Sequence, residues 1–174
     1  MKISVIITFC LLTACYNTDI EDSQVDTNLL GKKLIFPKEV EIIMTPNCIM
    51  DSSFIFSKKY IIVTWVNFGC GVCFKELIEL TNILKTIKNK NIGLIIYGAS
   101  NGNLSGIYYF LQIIPNFEYP IFADTASLFL KTNKIPINDK SYHTFLINHE
   151  KTILTIGAPI DSNVLQKHIK IRTK

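Results

Sequence analysis

Cysteine is scarce in this chain. Five cysteines in 174 residues are too few, and too unevenly placed, to staple a disulfide framework. Charge is scarce as well: 18 basic against 14 acidic side chains leave a net charge of only +4. Lysines such as Lys58, Lys59, Lys85, Lys88 and Lys90 are scattered, not clustered, so they read as a solvated face and exclude a nucleic-acid groove. No apolar run reaches the ~20 residues that span a bilayer, and there is no internal repeat or low-complexity tract. What is abundant is hydrophobic residues, 48% of the chain. At this length that supports one domain with a core that needs no staples.

The N-terminus reads as an address. Met1-Lys2 supplies a short positive region, Ile3 to Leu12 is almost wholly apolar, and the run ends in Leu12-Thr13-Ala14-Cys15. The apolar stretch suits a signal peptide. Leu, a small residue and Ala directly before Cys15 look like a bacterial lipobox, with cleavage after residue 14 and lipid on the Cys15 thiol. An ordinary secretory peptide cleaved near Ala14 is the alternative. Either way the mature chain is expected outside the cytoplasm. Cys10 leaves with the apolar stretch. Residues 15–30 are polar and acidic (Asp19, Glu21, Asp22, Asp26) and read as a tether, followed by one domain over 31–174.

Within that domain, Lys33 to Phe36 and Glu41 to Met44 are short strand candidates broken by Pro37 and Pro46. Tyr60 to Val66 is a β-branched and aromatic run suited to a strand buried on both faces. Val72 to Lys90 then carries Leu77, Ile78, Leu80, Ile83, Leu84 and Ile87 at helical spacing, and Ile92 to Tyr97 is a second buried strand. This β–α–β unit predicts parallel strands. A helix over Leu104 to Ile114, an extended piece at Pro120 to Phe122 and a short helix over Ser127 to Thr132 follow. Thr144 to Ile147 and Thr152 to Ile156 flank a turn and predict an antiparallel hairpin. Asp161 or Ser162 can cap a final helix. The order implies an α/β fold, a central mixed sheet with helices on both faces.

Cys70-Gly71-Val72-Cys73 lies where the first buried strand gives way to the first long helix. A helix N-terminus offers unpaired N–H groups and a positive dipole end, which stabilise a thiolate. The three-residue spacing brings the second thiol one turn along on the same face, able to attack a mixed disulfide made by the first. Cys70 is therefore the expected nucleophile and Cys73 the resolving thiol. Zinc would need four N/S ligands, and no second C-x-x-C or H-x-x-x-H exists. A purely structural disulfide over two intervening residues closes too small a loop to stabilise much.

The run Thr64-Trp65-Val66-Asn67-Phe68-Gly69-Cys70-Gly71-Val72-Cys73-Phe74-Lys75-Glu76, together with His143-Thr144-Phe145-Leu146-Ile147, resembles the thioredoxin-like superfamily. Within it, the likeness is to the membrane-tethered extracytoplasmic branch typified by TlpA and ResA, and more loosely to the thioredoxin-like lipoproteins of Bacteroidetes-type bacteria. The resemblance spans about Leu34 to Ile171. It implies a three-layer sandwich, no cofactor, no metal, and exchange with protein thiols or disulfides plus an upstream redox donor. In that branch a glutamate three residues after the second cysteine sits beside the active site. Glu76 matches it and is expected either to assist proton transfer at Cys73 or to be a solvated helix residue.

Three departures stand out. The buried aspartate of thioredoxins is matched by Thr64. The dipeptide between the cysteines is Gly71-Val72. The cis-proline before the hairpin strand is replaced by Tyr142, where a non-proline cis bond would cost about 3 kcal/mol, so a trans peptide is expected. Trp65, Gly71, Val72, Tyr142 and His143 are thus the expected docking surface. His143 would either lie beside the Cys70 thiolate or be a partnerless surface residue. Cys48 reads as half-buried packing near the sheet edge, with a third redox thiol as the alternative. Peroxide reduction is disfavoured, since peroxiredoxins carry P-x-x-x-T-x-x-C and no proline precedes Cys70 in its strand. A copper-binding assembly factor using Cys70, Cys73 and His143 is a competing reading, although such factors usually space their cysteines by three residues. A binding lipoprotein with incidental thiols is another.

Overall fold

The computed structural model describes residues 29–48, 52–87, 91–140 and 143–157. The expected signal peptide, Cys15, most of the tether, Tyr142 and the final helix lie outside them. Ten elements run in the order β1 (Glu41–Ile43), α1 (Ser52–Phe56), β2 (Tyr60–Asn67), α2 (Gly71–Thr86), β3 (Ile92–Ala99), α3 (Ser105–Ile113), β4 (Ile121–Ala123), α4 (Leu128–Thr132), β5 (Thr144–Asn148) and β6 (Ile153–Ile156). The strands form one sheet, ordered β1-β4-β3-β2-β5-β6. β2 pairs in parallel with β3 from Tyr60↔Ile92 to Asn67↔Ala99, and β3 with β4. The pairs β1–β4, β2–β5 and β5–β6 are antiparallel, giving the mixed sheet that the element order implies.

Period-two alternation along β2 sends its side chains to two cores. Tyr60, Ile62 and Val66 join Leu77 and Leu80 of α2 and Ile107 and Phe110 of α3 on one face. Ile61 and Val63 join Ile55 of α1 and Phe129 and Leu130 of α4 on the other. Helices therefore cover both faces, and every residue of β3 is buried, as the near-continuous apolar run requires. Among the described residues no helix is long and apolar enough to cross a membrane.

The structure differs from the sequence expectations in three places. Lys33 to Phe36 is not a strand: Lys33 makes a single bridge to Thr152, and the Asn133 side chain then takes both the N–H and the carbonyl of Ile35, each at 2.8 Å. That amide substitutes for a neighbouring strand. The long helix α2 ends at Thr86 instead of Lys90, where the Thr86 hydroxyl donates to the Ile83 carbonyl and Ile87 turns extended, a local bond that competes with the helix. The third difference is α1, whose five residues are too few to show a helical period in the sequence.

Candidate active site

The turn that carries Cys70 is anchored before it begins. Phe68 is fully buried, donates its N–H to the Ala99 carbonyl at 2.8 Å and packs edge-on to Phe110, with Phe74 also against it. The Asn67 side chain accepts from the Gly69 N–H at 2.8 Å, and the Cys70 N–H reaches the Asn67 carbonyl. Space is tight here because Gly106 of α3 lies against the Phe68 carbonyl, where a Cβ would collide. Cys70 emerges as the N-cap of α2, in extended backbone conformation, and its carbonyl accepts from the Phe74 N–H.

The two thiols are in contact and inequivalent. Cys70 is half-exposed and Cys73 is buried. The Cys70 thiol is held below the ordinary cysteine range, first by the hydrogen bond from the Cys73 thiol, then by the Cys73 N–H, and further by Lys140 and the Val72 N–H. Burial, followed by the same bond seen from its donor side, pushes the Cys73 thiol up. The pair therefore carries its negative charge on Cys70, the sulfur that faces solvent. Val72 projects into solvent at 61% exposure, and Gly71 has open space beside it. Nothing in the motif shields Cys70 from a partner.

A cavity of about 430 Å³ opens behind Cys73, lined among others by Thr64, Trp65, Glu76, Lys140 and His143. Thr64 is buried, and its hydroxyl is paired with that of Thr144 at 2.9 Å, a neutral couple lining the same cavity as Cys73. Glu76 is exposed on α2 at the cavity wall. The indole N–H of Trp65 is buried and finds no acceptor among the described residues. These residues contain no group of three His, Cys, Asp or Glu side chains able to share a metal ion.

His143 is neither a surface residue nor partnerless. It is buried, its Nε2 lies 2.9 Å from the Pro136 carbonyl, and its ring meets Trp65 edge-on at 5.4 Å. The cation that reaches Cys70 is instead Lys140, whose Nζ donates to the Cys70 sulfur at 3.7 Å. Lys140 was not singled out from the sequence, since it lies 70 positions away in a loop without periodicity and no local pattern points to it. Cys48 is half-buried in the segment after β1, as expected for a packing residue. Phe110 is buried while Tyr108 and Tyr109 are exposed.

Neither a protein-family profile nor any curated protein sequence matches the chain. Solved structures do. A thiol:disulfide interchange protein from Bacteroides sp. superposes with a TM-score of 0.53 at 18% identity, covering 83% of this chain and 94% of that one. The thioredoxin domain of a thiol-disulfide oxidoreductase from Bacteroides vulgatus gives 0.53 at 17%, over 66% and 81% of the two chains. StoA from Bacillus subtilis gives 0.50 at 18%, over 63% and 84%. The fold is thioredoxin-like. Within that fold the C-x-x-C lies on the strand-to-helix junction between β2 and α2 and faces the loop that leads into β5.

Proposed function

We propose that this chain is a thiol–disulfide oxidoreductase that exchanges disulfides with partner proteins outside the cytoplasm, held to a membrane by lipid on Cys15. The observation that carries the reading is the inequivalence of the two thiols: an accessible Cys70 with lowered affinity for its proton and a buried Cys73 with raised affinity. That division suits a nucleophile and a resolving thiol. Structural neighbours described as thiol-disulfide oxidoreductases support it, and Leu12-Thr13-Ala14-Cys15 supports the anchor.

The Cys70 thiolate attacks one sulfur of the partner's disulfide. A Cys70–partner disulfide forms, and the partner's other sulfur departs as a thiolate that takes a proton from water. Cys73 then gives up its proton and attacks the Cys70 sulfur. The Cys70–Cys73 bond forms, the partner's second thiolate leaves, and two electrons have passed to the partner. Glu76 is the proposed acceptor for the Cys73 proton, since both side chains line one cavity. Thr64, bonded to Thr144, is not a base. Trp65, Val72 and His143, with Gly71 and Tyr142, frame the proposed docking surface. An upstream dithiol donor restores the reduced pair.

Insulin reduction with a dithiol donor tests the reading. Wild type should turn over, Cys70→Ser should be inert, and Cys73→Ser should stall as a mixed disulfide captured through Cys70. No turnover by the wild type at any poised potential overturns the oxidoreductase reading. For the anchor, Cys15→Ala should abolish both fatty-acyl labelling and membrane partition; unchanged partition overturns it.

A further inference from the structure

We propose that Lys140 is a catalytic residue of the exchange, its ammonium holding the negative charge of the Cys70 sulfur as that sulfur attacks a disulfide or departs from one. The inference rests on the oxidoreductase reading and deepens it. It adds a cation that neither the sequence pattern nor the C-x-x-C junction supplies.

The geometry is direct. Lys140 Nζ donates to Cys70 Sγ at 3.7 Å, within the range of an N–H···S contact. The same side chain lines the cavity behind Cys73, so it stands where charge develops in each half of the reaction. Among the described residues, His143 holds its loop. His143 donates its backbone N–H to the Lys140 carbonyl at 3.1 Å and engages the Pro136 carbonyl through its ring. Its own carbonyl accepts from the Trp65 N–H of β2 at 2.8 Å. The loop bearing Lys140 is thus closed on His143, which is itself bonded to the strand that leads into Cys70. A held cation costs little reorganisation when charge appears, which is what makes such a contact catalytic.

The chemistry is the same in either direction. When the dithiol reduces a partner, the Cys70 thiolate attacks, and a favoured thiolate is present at lower pH. When the disulfide oxidises a partner, the mixed disulfide is broken by the partner's second thiolate and Cys70 leaves as a thiolate, which departs faster the better its charge is held. The side chains that act directly on Cys70 are Cys73 and Lys140; Glu76 acts on Lys140, and Asp139 and Lys140 act on His143. Lys140 is the one among them that is cationic at neutral pH. Its own proton is held more tightly by Cys73 first and also by Cys70 and Glu76, so it stays charged across the working range.

The test is the pH profile of Cys70 alkylation by iodoacetamide in the whole mature chain, resolved from Cys48 and Cys73 by peptide mass spectrometry. Lys140→Met should move the Cys70 profile to higher pH and slow its alkylation at pH 6 by roughly three- to tenfold, as expected for loss of one partly screened charge. Lys140→Arg should restore it. A tenfold loss of thiolate corresponds to about 30 mV in a two-electron couple, with the variant the more reducing. Cys48 should alkylate at the wild-type rate throughout. Superimposable Cys70 profiles for wild type and Lys140→Met overturn the inference. So does an equal shift in the Met and Arg variants, because loop shape and not charge would then act. Wild-type alkylation measured in 1 M salt needs no variant: the Cys70 profile should shift upward, and a salt-independent profile overturns the inference. None of these readings depends on insulin turnover, so failure of the oxidoreductase reading is separately visible.

Discussion

His143 provides the most quantitative test of how the site is built. A carbonyl only accepts, so the Pro136 oxygen 2.9 Å from Nε2 fixes the proton on that nitrogen and leaves the neutral imidazole complete. Burial then holds the residue below the ordinary histidine range, and this outweighs the opposing pull of the Pro136 carbonyl and Asp139. The sign follows. The unfolded chain binds this proton first, near pH 6.5, so the stability that His143 contributes is complete above that pH and is lost as pH falls toward the lower folded value. Between pH 7.5 and 5.5 the loss is at most one decade of proton binding, about 1.4 kcal/mol. At a urea m-value of about 2 kcal/mol/M that is a midpoint shift of about 0.7 M. His143→Gln keeps an amide that can reach the Pro136 carbonyl and removes the titration. The measurement is urea unfolding of both proteins at both pH values, followed through Trp65, the only tryptophan and the ring against His143. Wild type should lose up to 0.7 M more than the variant on acidification. Parallel losses would refute the claim that this imidazole is buried and neutral.

Asp124 is buried, and its two carboxylate oxygens accept from the N–H groups of Leu128 and Phe129 at 2.6 and 3.0 Å. Asp124→Ala leaves both donors without that acceptor and should cost about 2–4 kcal/mol, seen as a fall in Tm of roughly 5–15 °C; a loss under about 1 kcal/mol contradicts it. Gly106→Ala gains about 1 kcal/mol of helix propensity, but its Cβ meets the Phe68 carbonyl and Ser100. A net destabilisation of about 2 kcal/mol, with slower Cys70 alkylation as the turn shifts, is expected in denaturant titration. Gly71→Ala is the control: nothing lies within 4 Å of its Cβ position, and stability should stay within about 0.5 kcal/mol.

The parts of the fold that were legible in the sequence are those whose hydrophobic period is long enough to be unambiguous. Tyr60 to Asn67 and Ile92 to Ala99 are apolar on both faces because helices cover both sides of the sheet, and that burial writes the continuous run. The C-x-x-C could be placed at a strand-to-helix junction for the same reason. What was illegible depends on contacts far apart in the chain. The diversion of Ile35 from a strand is decided by Asn133, 98 positions away. His143 reads as a polar residue before a strand, and its contacts with Trp65 and Pro136 in the folded chain are not written in that pattern. Lys140 is one lysine among many scattered ones until the loop is folded back on β2. Local pattern encodes which side chains face a core, and it carries no information about which loop residue reaches across to the reactive sulfur.

The charge balance around the dithiol follows from the same comparison. Where thioredoxins place a buried carboxylate beneath the motif, this chain has Thr64 bonded to Thr144. A buried anion would oppose negative charge on either sulfur; the hydroxyl pair does not. On the outer side Lys140 contributes a positive charge at Cys70. Both features act in one direction, since each favours the thiolate and hence the reduced pair. Stabilising the reduced form raises a couple's potential, so the two features together bias the proposed dithiol toward weaker reducing power than a buried carboxylate without the lysine would give. Glu76, exposed to water at the cavity wall, opposes this only through solvent, where its field is strongly screened. The bias therefore depends chiefly on Lys140, and the Lys140→Met variant, measured against glutathione buffers, should be the one whose potential moves downward while its fold is unchanged.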